Sequence, residues 1–307
     1  MIAGPRVGVI GLAGAWSTEL LADALEARTG FRLVIDPEKL AFSSRTRRLT
    51  AGPHDLSALD ALVLRKMGPE YSQRMVHRLQ LLQALAAQGV LVLSDPARIV
   101  AVIDRLSCTM RLQLAGIPMP PTTITEDPEV AIDAVREYGT AVLKPLFSTK
   151  ARGMRVVRRG GDAEEALDLM RQAGNTVYYV QKLVDLPGHD LGLVFLGGTY
   201  LGAYARVAGP DSWNTTVHSG GTYRPHEPSP EVLDIAQRAQ AVFGLDYTTV
   251  DVVETADGPL VFEVSAFGGF RGLYEASRVD AASLLADHVL QRYLAAAPSD
   301  DGRLLRR

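Results

Sequence analysis

The 307-residue sequence has one cysteine, and aromatic residues fill only 7% of its positions. A single thiol, Cys108, can neither close an intramolecular disulfide nor build a multi-cysteine zinc site, and it fits a reducing compartment. There is no excess of basic residues: the formal net charge is −3. No global positive field is therefore available to hold nucleic acid or an anionic membrane, and no basic groove interleaved with aromatics is visible. Any anion site must be local. No run of about 18 apolar residues occurs, and the start, MIAGPRVGVIGLAGAW, lacks a basic segment leading into a long apolar one. Neither export nor membrane insertion is expected, and a cytoplasmic location follows. The nucleotide motifs G-x-x-x-x-G-K-[ST] and G-x-G-x-x-G are absent, and the six histidines form no i, i+4 metal pair. His77 reads as a solvated residue on a charged helix, and His218, in NTTVHSGG, as a modest site candidate.

What is present is ordinary globular material, 47% hydrophobic and 22% charged, long enough for two or three compact units. RVGVIGL reads as a buried strand. Gly8, Gly11 and Gly14 make a tight turn after it, with Ser17 as the N-cap of the helix STELLADALEA. FRLVID, LDALVLRKM and VLVLSDP follow as strands, with a helix ending at Gly89, so residues 1–97 are expected to form a parallel α/β domain. One long helix, DPARIVAVIDRLSCTMRLQLAG, then runs to Gly116 and the PMPP cluster. Helices and strands alternate to residue 184 in α+β order, and antiparallel strands dominate 185–297. The tail 298–307 reads as disordered.

Two stretches carry chemistry. In VDVVETADGPLVFEVSAFGGFRG, a hairpin centred on Asp257 sets Asp251 opposite Glu263, where cross-strand Cβ atoms lie about 5 Å apart. Two such carboxylates repel unless one takes a proton or a cation joins them. Ser265 shares their face. An oxygen-only set suits Mg²⁺, with Mn²⁺ as the alternative ion; a solvated sheet edge is the competing reading. In AVLKPLFSTKARGMRVV, Lys144 sits inside an apolar strand beside a loop offering Ser148, Thr149, Lys150, Arg152 and Gly153. Hydroxyls, backbone N–H groups and cations in one turn can wrap phosphates, although a solvated hairpin tip has a similar composition. Cys108, mid-helix, reads as a packed small side chain.

In order and spacing, IDRLSCTMRLQLAGIPMPPT, AVLKPL, YYVQKLV, HDLGLVF, YARV, WNTTVHSGG, TTVDVV and VFEVSAFGG resemble the ATP-grasp superfamily over residues 98–295. The resemblance is to its branch of ribosomal-protein S6 glutamate ligase-like and glutathione synthetase-like enzymes. It is closer still to the ATP-grasp proteins of the GAK system, named for a GNAT, ATP-grasp and kinase-like cluster. It implies a pre-ATP-grasp, Rossmann-like α/β domain (1–97), then two α+β ATP-grasp subdomains, a central lid (98–184) and a C-terminal one (185–297). It also implies ATP as the cofactor. Lys144 would meet the α/β-phosphates and loop 148–153 would close over them. The strand VQKLV would line adenine, with main-chain groups of Lys182 and Leu183 at the base edge and Gln181 nearby. Asp190 would take the ribose, Arg206 the γ-phosphate, and Asn214 the phosphates or the reacting carboxylate. Asp251 and Glu263 would hold Mg²⁺. The chain departs from the related ligases at Ser265, where asparagine is usual, at Lys182, where an acid is common, and at Gly192, where an arginine often stands.

The activity implied is ATP-dependent carboxylate–amine ligation through an acyl phosphate, joining small-molecule or peptide substrates, in a protein able to form a homo-oligomer. Arg271, beyond SAFGGF, is the candidate clamp for a substrate carboxylate, since bidentate guanidinium recognition suits that task; a structural ion pair is its alternative role. A phosphotransferase, and a nucleotide-binding regulatory protein without turnover, are the competing functions.

Overall fold

The run VGVI becomes strand β1 (Val7–Ile10), buried along its whole length, as expected of a strand covered on both faces of a parallel sheet. Helix α1 (Trp16–Thr29) follows. A Cβ at Gly11 would lie 2.6 Å from Thr18 Oγ1, so only glycine lets the strand end meet the helix this closely. The helix does not start from Ser17, which is buried within its first turn. Ala15 is the N-cap, without a side-chain bond. Glu19 caps from inside the turn instead, accepting from the Gly14 N–H at 2.6 Å.

A computed structural model describes residues 4–209, 215 and 220–296, and the chain divides into two compact units. The first takes in the chain to Pro69, Met75–Ala97 and the chain from Asp280 on. Its parallel sheet has the order β2-β1-β6-β7, with β2 (Val34–Ile35), β6 (Ala61–Leu64) and β7 (Leu91–Leu93). Between β2 and β6 lies a three-stranded antiparallel sheet that the pattern reading did not anticipate: β3 (Leu40–Ser43), β4 (Arg48–Ala51) and β5 (His54–Asp55). Of its residues only Leu49 and Ala51 are buried, too few to show an alternation. Helix α2 (Gln73–Ala86) buries Met75, Leu79, Leu82 and Leu85 at helical spacing, and His77 on it is exposed.

In the second unit, the single long helix expected from the apolar period is two helices, α3 (Pro96–Ile103) and α4 (Arg105–Leu114). Asp104 between them is extended and accepts from the Leu106 N–H at 3.1 Å, so it caps a fresh helix. The break sets Arg105 at the first position of α4. Next come β8 (Thr122–Thr125), α5 (Pro128–Tyr138), β9 (Thr140–Lys144), β10 (Arg155–Arg158), α6 (Ala163–Gln172) and β11 (Tyr178–Lys182). The four strands form an antiparallel sheet, order β10-β9-β11-β8. Val135 of α5 and Leu167 and Met170 of α6 share a core with Leu143 and Val180 of the strands.

A second antiparallel sheet, order β14-β13-β12-β15-β16, follows. It is built from β12 (His189–Leu196), β13 (Thr199–Val207), β14 (Thr222–Pro225), β15 (Tyr247–Thr255) and β16 (Gly258–Ser265). Helix α7 (Pro230–Ala241) precedes β15, and α8 (Phe270–Ser277) follows β16. The last helix, α9 (Ala281–Ala296), leaves this unit. It belongs with α1, tied by Arg28, whose Nε and Nη2 reach Asp287 at 2.6 and 3.0 Å, so residues 185–297 are not one piece. The expected disordered tail 298–307 lies outside the described residues. Among the described residues no helix is long and apolar enough to cross a membrane.

Candidate active site

The hairpin of β15 and β16 brings the two acids face to face, by a route the sequence arithmetic did not foresee. The turn pairs Thr255 with Gly258, half a residue out of step with a centre on Asp257. Uncorrected, that register would mismatch the acids. A bulge between Val252 and Asp251 leaves Phe262 unopposed, and Asp251 then pairs with Glu263 and Thr249 with Ser265. Bulges re-aim side chains, and here the extra residue also serves the site: Lys144 Nζ lies 5.6 Å from the centre of the Phe262 ring.

Strand alternation places Asp190, Gly192, Tyr204, Arg206, Thr249, Asp251, Glu263 and Ser265 on one face, through the pairs Asp190–Arg206, Gly192–Tyr204, Gly192–Asp251 and Asp251–Glu263. Arg206 holds both acids nearest it. Its Nε donates to Asp190 Oδ1 at 3.0 Å, and its Nη2 donates to the other Asp190 oxygen and to Asp251 Oδ2, the latter at 3.0 Å. Burial alone would pull the Arg206 pKa down, but Asp190 and Asp251 outweigh it and raise it well above its usual value. For Asp251 burial dominates: its carboxyl is pushed up to about 7 despite the neighbouring guanidinium, with Asp190 and Glu263 adding in the same direction. Gly192 has its own local reason. A Cβ there would lie 2.5 Å from the Tyr204 ring, and one at Gly272 would meet the same ring at 2.5 Å, so the phenol is sandwiched between two glycines.

Glu263 answers to a different arginine, Arg105, which sequence reasoning missed. Arg105 is only 8% exposed, and its Nη1 donates to Glu263 Oε2 at 3.0 Å. Its Nε reaches the Pro145 carbonyl at 3.1 Å, while Nη2 reaches the Ser148 carbonyl and Oγ at 3.4 and 3.3 Å. The available signal was the Asp-Arg pair in AVIDRLS: an N-cap residue followed by a cation inside an apolar stretch. A cavity beside this group is lined by Arg105, Ser148, Glu263, Ser265, Tyr71 and Cys108. Cys108 is packed, as expected, and burial pushes its thiol up to about 12, which leaves it inert.

On the facing sheet Lys144 donates to Gln181 Oε1 at 2.5 Å. Burial, and after it the charge of Arg105, brings the Lys144 ammonium down to about 7. Gln181 is buried and gives its Nε2 to Thr122 Oγ1 at 3.0 Å and to Tyr179 at 3.3 Å; Tyr179 OH in turn meets Thr109 Oγ1 at 2.8 Å. The N–H groups of Lys182 and Leu183 are committed to the carbonyls of Pro121 and Thr140, at 2.8 and 2.9 Å. Loop 148–153 has Lys150, Ala151 and Gly153 at φ 58°, 56° and 69°. Two non-glycine residues in that region cost about 1–3 kcal/mol each, a strain typical of ligand clamps, and such turns point N–H groups at anions. Arg152 Nη1 reaches Glu70 Oε1 at 3.0 Å. Thr149 accepts from the Arg152 N–H at 3.2 Å.

Arg271, by contrast, is 57% exposed on α8 and 3.5 Å from Glu275. Ser265 accepts at its carbonyl from Thr248 Oγ1, 3.0 Å away. Asn214 and His218 lie outside the described residues. Among the described residues no three His, Cys, Asp or Glu side chains form a metal cage. The donor set is two carboxylates and a hydroxyl, which fits a hard ion whose other ligands come from phosphates and water.

The profile of the RimK-like ATP-grasp domain matches residues 102–289. A tetrahydromethanopterin:alpha-L-glutamate ligase of Methanosarcina acetivorans is 26% identical, the match spanning 89% of this chain and 95% of that one. A solved RimK domain protein ATP-grasp from Sphaerobacter thermophilus has TM-score 0.73 and 28% identity, over 92% of this chain and 98% of that one. The ATP-grasp ligase PsnB, complexed with a phosphomimetic variant of its minimal precursor, Mg and ADP, shares the fold at TM-score 0.72 and 22% identity, over 94% and 99% of the two chains.

Proposed function

The chain belongs to the RimK-like ATP-grasp family, and we propose that it is an ATP- and Mg²⁺-dependent carboxylate–amine ligase acting on small-molecule or peptide substrates. In the first step a substrate carboxylate oxygen attacks the γ-phosphorus of ATP, the bond from that phosphorus to its bridging oxygen breaks, and ADP leaves. In the second an amine nitrogen attacks the acyl carbon and loses a proton, while phosphate departs with the electron pair of the acyl C–O bond. No protein nucleophile is needed, so the protein's task is to position the reactants and stabilise charge.

The observation that carries this reading is the facing pair Asp251 and Glu263, each held by a guanidinium at 3.0 Å, that of half-buried Arg206 and of buried Arg105 respectively. Acids paired this way invite a divalent cation, and Mg²⁺ when bound would offset the charge of the transferring phosphoryl group. Asp251 and Glu263 would hold it, with the Ser265 hydroxyl beside them; the same oxygens suit Mn²⁺. Lys144 would meet the α/β-phosphates and take up a proton as it does so. Ser148, Thr149, Lys150, Arg152 and Gly153 would cover the phosphates, and Arg206 would turn part of its guanidinium to the γ-phosphate. Asp190 would bind ribose. Gln181 and the main chain at Lys182 and Leu183 would line adenine; because both N–H groups there are already bonded, other main-chain groups must read the base.

The test is ADP and phosphate release from ATP and Mg²⁺ across a panel of carboxylic acids, with L-glutamate as the first amine because relatives are named glutamate ligases. An acid-dependent rate with an amide product is expected. Asp251→Asn and Glu263→Gln should each lower metal-dependent turnover by about a hundredfold or more with the fold intact. Turnover that no acid stimulates, or full activity in both variants, refutes the reading.

A further inference from the structure

The Arg105 guanidinium joins two parts of the site that are far apart in sequence. One end meets Glu263 on β16, and the other meets Pro145 and Ser148 at the stem of loop 148–153. Its own backbone N–H is spent on the Leu146 carbonyl at 3.2 Å. The group is planar, so its ends cannot move independently, and it is itself only 8% exposed. Its charge centre lies 5.8 Å from the Tyr179 ring, which limits how far it can swing.

We propose that Arg105 is a positioning residue that couples the state of the Glu263 carboxylate to the conformation of loop 148–153. When Glu263 gives its charge to a cation, the guanidinium loses its strongest acceptor and its hold on Ser148 changes with it. Information then passes between the metal side and the phosphate side of the site through one side chain. This rests on the nucleotide-binding reading above.

The loop carries its own reporter, since trypsin cleaves after Lys150 and Arg152. Cleavage at these two positions is followed by mass spectrometry in the empty protein, with ADP, and with ADP plus Mg²⁺; ADP binding is measured separately by calorimetry. In the wild type, Mg²⁺ added to the ADP-saturated protein should change the cleavage rate about fivefold or more. In Arg105→Lys, which keeps the charge but cannot span both partners, the Mg²⁺ increment should fall below about twofold while the effect of ADP alone persists. Glu263→Gln keeps the shape of the far end and tests the coupling without any metal: in the empty protein it should already shift loop cleavage about threefold, whereas a role confined to metal binding leaves the empty loop unchanged. A full Mg²⁺ increment in Arg105→Lys, no increment in the wild type, or an unchanged empty loop in Glu263→Gln overturns the coupling. Failure of the wild type to bind ADP overturns the nucleotide reading itself.

Discussion

Replacing Arg206 by methionine keeps most of the stem volume and removes the one cation shared by two carboxylates. The side chains of Arg206, Asp190 and Asp251 are 18%, 5% and 16% exposed, so the acids left behind would lie in a poorly solvated place. Removing one member of a buried ion pair costs about 3–5 kcal/mol, mostly because the partner remains buried and uncompensated. Spread over the β12–β13–β15 ladder, that loss should lower amide hydrogen-exchange protection there by roughly two to four decades, at about 1.4 kcal/mol per decade. The pH dependence gives a second check. Burial already raises the Asp251 carboxyl to about 7 with Arg206 beside it, and removing that guanidinium raises it further. Wild type and variant share one unfolded state, so the gap between them depends on pH only between their two folded-state values, where the folded variant holds a proton that the folded wild type has lost. The gap should therefore narrow as pH falls toward about 7 from above and stay level below it. A gap below about 1 kcal/mol at about pH 9, or one that widens on acidification, would show that Arg206 is not the counter-ion of this face.

Two further perturbations probe neighbouring groups. With burial holding Lys144 near 7, ADP binding above that pH must take up a proton, so affinity should fall by up to about tenfold per pH unit between 7 and 9; Lys144→Arg should flatten the profile, and a flat wild-type profile would place no titrating lysine at the phosphates. Gly192→Ala puts a methyl 2.5 Å from the Tyr204 ring, which Gly272 blocks from the other side, so it should destabilise the second unit by about 1–3 kcal/mol; Tyr204→Leu in the same chain should restore part of that loss, and an unchanged melting temperature in the single variant refutes the sandwich.

Much of this was legible in the sequence where chemistry and period agreed. The acids of β15 and β16 stood out because a carboxylate in an apolar strand is costly, and Lys144 stood out for the same reason. The pairing of Asp251 with Glu263 emerged from the hairpin arithmetic even though the turn was misplaced, because the bulge at Phe262 compensated; one residue of slip either way would have sent an acid to the opposite face. Arg105 was hidden by the opposite circumstance. The apolar period runs unbroken through AVIDRLSCTM, and only the conformation of Asp104 shows that one helix ends and another begins there. The β3–β4–β5 sheet escaped because two buried residues cannot establish a period of two.

The charges of the site explain why these arginines matter together. Asp190, Asp251 and Glu263 are interleaved with Arg206, Arg105 and Lys144, so the charges of these side chains nearly cancel, and Lys144 and Asp251, both brought to about 7, are the members whose charge is easily withdrawn. A cation arriving alone would have to draw Asp251 from Arg206; a nucleotide alone would draw Arg206 away and leave Asp251, 16% exposed, without its counter-ion. A half-exchange of that kind leaves a poorly solvated charge uncompensated, the costly case for ion pairs. With both bound, Asp251 would pass to the metal and Arg206 to phosphate, and each would keep a partner. On this reading the Arg206–Asp251 pair does more than hold the fold: it favours the metal–nucleotide complex over either component.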